Sequence, residues 1–328
     1  MTPKEIVTRA IEFEKPERIP IRFPGFGFDD TYGVGYQPAG GWKPSKLNED
    51  EWGCVWEKPQ DVSPSSKIVN MGQVKGHPLK DLGMLRDFKF PDPQDSNRFV
   101  PMEGALKDAG DKYVILGDGF TLFERSWGLH GMTQLFIDMY EKPGLVHELL
   151  DRITEFHIGI LESLKPFKGR IHGYSLGDDW GSEKATFISV PAFREFFKPR
   201  YKLMIDRIHA LGMHAWLHSC GRINNFIEEF IDIGLDVINP QQPRALGIDE
   251  ISRRYQGRIC FETLADIQKV YPRASKEEIG QEIKLLIEKW GTPDGGFIGS
   301  DYTDHTAIGV SEENAGYLFE AFKKYGKY

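Results

Sequence analysis

From about residue 105 onward, short apolar runs alternate with amphipathic stretches at a regular beat. KYVILGDG (112–119) is an apolar run ending in Gly-Asp-Gly, and LVHELLDRITEFHIGILESL then repeats its apolar residues three and four apart. That second spacing lines one face of a helix. RIHGYSLGDDWG (170–181), MHAWLHSCG (213–221), LDVINPQQ (235–242), GRICFETLADIQ (257–268) and GGFIGSDY (295–302) read as further strands with polar C-terminal ends. Between them PAFREFFKPRYKLMIDRIHALG, INNFIEEFIDIG and SKEEIGQEIKLLIEKWG carry the helical period, and EENAGYLFEAFKKYG closes the series. Strands and helices alternating in this way imply parallel strands joined by helical crossovers. Six or seven such units with no early GxGxxG predict an α/β chain folded as a closed (β/α)8 TIM barrel rather than an open nucleotide-binding sheet.

The first hundred residues read differently. Residues 4–14 predict a helix stopped by the Lys15-Pro16 step, and RIPIRF (18–23) a short buried strand. Residues 24–104 are rich in Pro, Gly, Asp and Trp. They predict a loop-rich segment covering one end of the barrel, so that residues 1–328 form a single barrel domain.

Composition narrows the function. The 328 residues are 40% hydrophobic and 27% charged, as in a globular enzyme, and the net charge of -8 argues against a nucleic-acid groove. No apolar stretch approaches the roughly 20 residues that span a bilayer, and the first residues lack an apolar signal core. Three cysteines, Cys54, Cys220 and Cys260, are too few for a disulfide framework. The expectation is a reduced, cytoplasmic setting with thiols free for metal or nucleophilic chemistry.

In a barrel the strand C-termini share one face, and catalytic residues gather there. Those ends carry Asp118, Asp178, Asp179, His218, Cys220, Asn239, Gln241, Glu262 and Asp301. In WLHSCGRI (216–223), His218 and Cys220 stand two apart and so point to the same side of a strand, toward the mouth. Imidazole and thiolate together suit zinc, although the spacing alone equally fits a hydrogen-bonded His beside a buried Cys. Asp178 and Asp179 are neighbours facing opposite sides, so one points into the cavity while the other caps a turn.

The stretch HSCGRINNFIEEFIDIGLDVINPQQP resembles the uroporphyrinogen decarboxylase superfamily, in the branch that holds cobalamin-dependent methyltransferases. LGDDWGS (176–182), GHPLKDLGMLRDFKFPDP (76–93), FETLADIQ and SEENAGYLFEAFKKYG extend the resemblance over most of the chain. In that branch the His and Cys of HxCG bind a catalytic zinc, which implies His218 and Cys220 as ligands here. Uroporphyrinogen decarboxylases have an arginine-rich N-terminal segment for a substrate with eight carboxylates. IRFPGFGFDDTYGVGYQPAGGWKP offers only Arg22 and adds Asp29 and Asp30, which favours the methyltransferase reading. In the coenzyme M methyltransferases of the branch the third ligand is a late cysteine, but GSDYTDHTAIGVSEEN has none. Glu262, at the rim of its strand, is the expected third ligand, with Cys260, Asp301 and His305 as alternatives.

A site with one thiolate and one carboxylate is a harder Lewis acid, suited to polarising an ether oxygen. Phe23, Phe26, Phe28, Tyr32, Trp42, Trp52 and Trp56 precede the regular barrel, and aromatic walls suit a methoxylated ring. The expected reaction is therefore O-demethylation, from a methoxylated aromatic donor to the cobalt(I) of a separate corrinoid protein. Asp178 or Asp179 assists the leaving oxygen, and Phe26, Phe28 and Trp180 contact the substrate. The chain lacks a DxHxxG corrinoid-carrier signature, so the corrinoid comes on a partner. Methylcorrinoid-to-thiol transfer, uroporphyrinogen decarboxylation, a zinc hydrolase and a non-enzymatic corrinoid-protein binder are the competing readings. Barrels of this superfamily often pair, so a homodimer is one expected assembly beside the monomer.

Overall fold

The alternating pattern closes into eight parallel strands. They are β1 (Ile21–Arg22), β2 (Thr31–Val34), β3 (Tyr113–Gly119), β4 (Gly173–Gly177), β5 (His214–His218), β6 (Val237–Asn239), β7 (Cys260–Thr263) and β8 (Phe297–Ser300). Running around the sheet, β1 pairs with β8, and β8 through β3 follow in reverse chain order to β2. The result is the predicted (β/α)8 TIM barrel. The computed structural model describes residues 1–57 and 72–327; residues 58–71 of the predicted covering segment, and Tyr328, lie outside the described residues.

β2 is the main departure from the sequence reading, because Thr31–Val34 lies inside the segment expected to be only a cover. Its TYGV sequence is too short and too flanked by Gly and Asp to announce a barrel strand. The ladder between β1 and β2 is not formed, and the seam is closed by Asp30 instead. Asp30 N–H donates to the Ile21 carbonyl at 2.9 Å, while Ile21 N–H donates to the Asp30 carboxylate at 2.8 Å. The side chain thus supplies the acceptor that a neighbouring strand's carbonyl supplies elsewhere. Arg18 completes the carboxylate with two bonds of 2.7 Å.

Helix α1 (Pro3–Glu12) starts at a Thr2/Glu5 capping box and ends at Phe13, whose φ is 58°. Its Val7 and Ile11 plug the barrel floor against Tyr113, Ile115, Trp216, Val237, Cys260 and Ile298. Two residues further along β5, β6 and β7, the same faces bear His218, Asn239 and Glu262 at the mouth. This layering places Cys260 in the apolar core and Glu262 at the rim. Outer helices include α2 (Phe123–His130), α3 (Pro143–Ser163), α4 (Lys198–Ala210), α5 (Asn224–Asp232), α6 (Lys276–Trp290) and α7 (Glu312–Tyr325).

The cover is stapled to the barrel by polar and aromatic contacts. Buried Arg98 grips Glu51 at 2.7 and 2.9 Å, and Tyr36 donates to Asp118 at 2.9 Å. Trp52 packs edge-on against Phe156 of α3, with centroids 4.7 Å apart. Antiparallel strands Val55–Glu57 and Gln73–Gly76 lie in this region.

Asp30 is buried and its loss would leave Arg18 and the Ile21 N–H without their acceptor. Asp30→Ala should lower the unfolding free energy by about 3 kcal/mol, read as a shift of the urea midpoint.

Candidate metal centre at the barrel mouth

His218 is the last residue of β5, and it stands opposite Gly177 of β4 and Asn239 of β6. The chain then turns through Ser219, Cys220 and Gly221. Gly221 has φ +81°, and a Cβ there would lie 2.0 Å from the carbonyl oxygen of Gly181. A Cβ on Gly181 would in turn meet the backbone N of Arg222 at 2.9 Å. The loops after β4 and β5 therefore touch backbone to backbone, sealed where Arg222 N–H donates to the Ser182 carbonyl at 2.7 Å. Only glycine permits such contact at a left-handed φ.

This contact brings the chemistry together. Cys220 N–H donates to Asp179 Oδ1 at 2.7 Å. His218 Nε2 lies 3.5 Å from Asp179 Oδ1 and 3.6 Å from Cys220 Sγ. Ligand atoms of all three residues fall within 4.8 Å of one another. Zinc bonds of about 2.0–2.3 Å arranged tetrahedrally require ligand atoms about 3.3–3.8 Å apart. The observed separations match, and an imidazole, a thiol and a carboxylate are a donor set that zinc accepts. The residues present thus fit a zinc ion.

The surroundings are rich in acidic groups that burial holds toward their protonated forms. Burial pushes the Cys220 thiol well above its usual range, and Asp179 and Glu124 add to the effect. Burial likewise raises Glu124 to about 9, with Asp178 and Asp179 reinforcing it. A bound cation would reverse this logic, favouring every one of these groups in its charged form.

The predicted site residues separate into two sets. His218, Cys220 and Asp179 come together. Asp178 turns away: fully buried, it accepts from the N–H groups of Leu122 at 2.8 Å and Glu124 at 2.7 Å, and from the Tyr201 hydroxyl. It holds the start of α2, and burial raises it to about 6 against those bonds. Glu262 reaches the same cavity as His218, where its carboxylate takes Arg22 at 3.1 Å. Among the described residues the three-ligand group contains Asp179 rather than Glu262. Cys260 belongs to the barrel floor, and Asp301 pairs with His305 at 2.9 Å under the Tyr271 hydroxyl.

The aromatic candidates lie elsewhere. Trp180 is fully buried, stacked on Phe123 at 4.3 Å and packed edge-on against Phe193, Phe197 and Phe226. Phe26 stacks on Phe319 of α7 at 5.0 Å, and Phe28 meets the same ring at 6.2 Å. The mouth cavity, about 320 Å3, is lined instead by Arg22, Pro24, Ser175, His218, Asn239, Gln241, Glu262, Asp301, Tyr302 and Thr303. Tyr302 is the one Phe, Tyr or Trp among these lining residues. Glu124 and Tyr302 escape sequence reasoning: Glu124 lies on a helix, outside the strand-end pattern, and Tyr302 only closes the GGFIGSDY stretch behind Asp301.

These features define a (β/α)8 barrel with a metal-competent cluster at its C-terminal mouth, where barrels carry their chemistry. Residues 116–325 match the uroporphyrinogen decarboxylase (URO-D) family, and the chain belongs to that family. Its structure is similar to the methyltransferase from Methanosarcina mazei, with TM-score 0.63 and 17% identity over 98% of this chain and 86% of that one. Xylanase 10B from Thermotoga petrophila, with TM-score 0.45 and 13% identity over 70% and 80%, shares only distant likeness. No curated protein matches the chain. Among the described residues, no helix is long and apolar enough to cross a membrane.

Two outcomes test the centre. Gly221→Ala should cost about 3 kcal/mol, combining ~1–2 for a left-handed Cβ with ~1–3 for the backbone clash, and should abolish zinc binding. Because the free thiol of Cys220 holds its proton, zinc must displace it. Zinc affinity should therefore rise with pH between about 6 and 9, by about tenfold per unit for each proton released, as read by chelator competition. A flat profile would remove the thiolate from the site.

Proposed function

We propose that the protein is a zinc-dependent methyltransferase that moves a methyl group from a methoxylated, aromatic donor to the cobalt(I) of a separate corrinoid protein. The observation that carries this reading is the Asp179–His218–Cys220 cluster at the mouth of a uroporphyrinogen decarboxylase family barrel. Decarboxylation of a substrate with eight carboxylates is disfavoured by the cavity walls. Arg22 is the one arginine or lysine among the lining residues, and Glu262 already occupies it. Glu262 and Asp301 would face the polyanion directly, a juxtaposition costing several kcal/mol.

Asp179, His218 and Cys220 would hold the zinc. Bound there, it would supply Lewis acidity at the donor's ether oxygen. In the transfer, the bond from methyl carbon to oxygen breaks with its electron pair left on oxygen. Cobalt(I), the methyl acceptor, provides the pair for the new carbon–cobalt bond, and the oxygen takes a proton to leave as a phenol. Asp301 lines the cavity with its carboxylate tied to His305, which is partly exposed to solvent. That pair supports proton delivery to the departing oxygen. Tyr302 offers a ring face to the donor, and Ser175, Asn239 and Gln241 offer hydrogen bonds to its polar substituents.

The test combines metal content with turnover. Purified protein should carry about one zinc per chain, lost in Cys220→Ala. A panel of methoxybenzenes and methoxybenzoates with a reduced corrinoid protein should give methylcobalt absorbance and free phenol. His218→Ala should reduce that rate to background while leaving the fold intact by circular dichroism. Zinc-independent turnover would overturn the reading, and so would ester or amide hydrolysis without corrinoid.

A further inference from the structure

The orientation of the Asn239 amide carries a consequence for His218. Asn239 Nδ2 lies 2.8 Å from the backbone carbonyl of Glu262, an oxygen that can only accept. The amide nitrogen must therefore face β7, and the amide oxygen must face β5. There Oδ1 lies 2.7 Å from His218 Nδ1. Since Oδ1 also only accepts, Nδ1 carries the proton. A neutral imidazole has one N–H, so Nε2 keeps a free lone pair. Nε2 is the atom that faces Asp179 and Cys220.

We infer that Asn239 is a positioning residue which fixes the His218 tautomer, holding Nε2 unprotonated toward Asp179 and Cys220. Without Asn239 the opposite tautomer would be favoured. Asp179 Oδ1 stands 3.5 Å from Nε2 and draws a proton to that side. The amide oxygen at 2.7 Å is the nearer acceptor and prevails. Asn239 is itself 9% exposed and paired in register with His218, so it has little freedom to rotate away. Flipping the amide would set Oδ1 against the Glu262 carbonyl, two acceptors face to face, and lose the bond that Nδ2 makes there. Cys220, Glu124, Arg22, Glu262, Asp301 and Tyr302 are the other charged and titratable groups that face this region. The tautomer argument is independent of the reaction, whereas its consequence for metal binding rests on the zinc reading above.

The experiment uses the full chain, 15N-labelled at histidine and freed of metal, at about pH 8.5, where imidazole is neutral. Two-bond 1H–15N spectra read each tautomer, and the His218 signals are those missing in His218→Gln. Wild type should show His218 as the Nδ1–H form, and Asn239→Leu should move it to Nε2–H. Asn239→Asp, which keeps the acceptor, should retain Nδ1–H. Zinc affinity, by competition with a chromophoric chelator, should fall about 10–100-fold in Asn239→Leu and stay near or above wild type in Asn239→Asp. An Nε2–H form in wild type would overturn the inference even if the Leu variant fails to fold. An Asn239→Leu protein with unchanged tautomer and unchanged affinity would also overturn it. A tautomer swap in a chain that binds no zinc would overturn the metal reading alone.

Discussion

Two backbones that touch, at Gly181 and Gly221, determine what the barrel mouth can do. The loops after adjacent strands ordinarily diverge to make room for side chains. Here neither carries a Cβ, and the approach lets the Asp179 carboxylate accept the Cys220 N–H directly. That bond turns the thiol to the same side as the last strand residue, His218, although Cys220 has already left the strand. Three donor atoms converge because the main chain is close enough to hold them, a rigidity that side-chain packing alone would not supply.

The convergence carries an electrostatic cost that the protein meets by holding several of these groups toward their protonated forms. Asp178, Asp179, Glu124 and Cys220 concentrate negative or potentially negative groups in a poorly solvated corner. Desolvation is the first cause of each upward shift at Asp178, Glu124 and Cys220. Asp178 is partly relieved by the N-terminal N–H groups of α2, the usual place for an anion. Nothing comparable serves Cys220. A site that places an imidazole, a thiol and carboxylates together is suited to a divalent metal.

The cover works by different means. Its aromatic side chains fill the space between loops and barrel, as Trp52 does against Phe156 and Trp56 does against Phe120. Buried polar groups at its base are paired: Arg98 with Glu51 within the cover, and Tyr36 of the cover with Asp118 of β3, which also takes Tyr174 and His157. Aromatic density near a mouth reads from sequence as a ligand wall. A loop-rich segment whose described residues form only short helical turns and short strands, however, needs large rings simply to stay attached. The cavity was consequently left to polar residues at the strand ends.

Periodicity in the chain determined the barrel, since each strand must bury one face inside and the other beneath a helix, a requirement written locally in apolar spacing. It also marked His218 at a strand end facing the mouth, whereas Cys220, just past the strand, is placed beside it by the contact of the Gly181 and Gly221 backbones. Other features depended on neighbours distant in sequence. β2 became a barrel strand through its ladder with β3, far along the chain, and Asp30 closes the remaining seam to Ile21. Asp179 joined the metal cluster, and Asp178 became a helix anchor, only because α2 and the β5 loop pack on opposite sides of that dipeptide. Glu262 met Arg22, 240 positions earlier in the chain, because β1 and β7 both flank β8. Such choices are made by which backbone comes within hydrogen-bond reach, and no spacing along the chain encodes that distance.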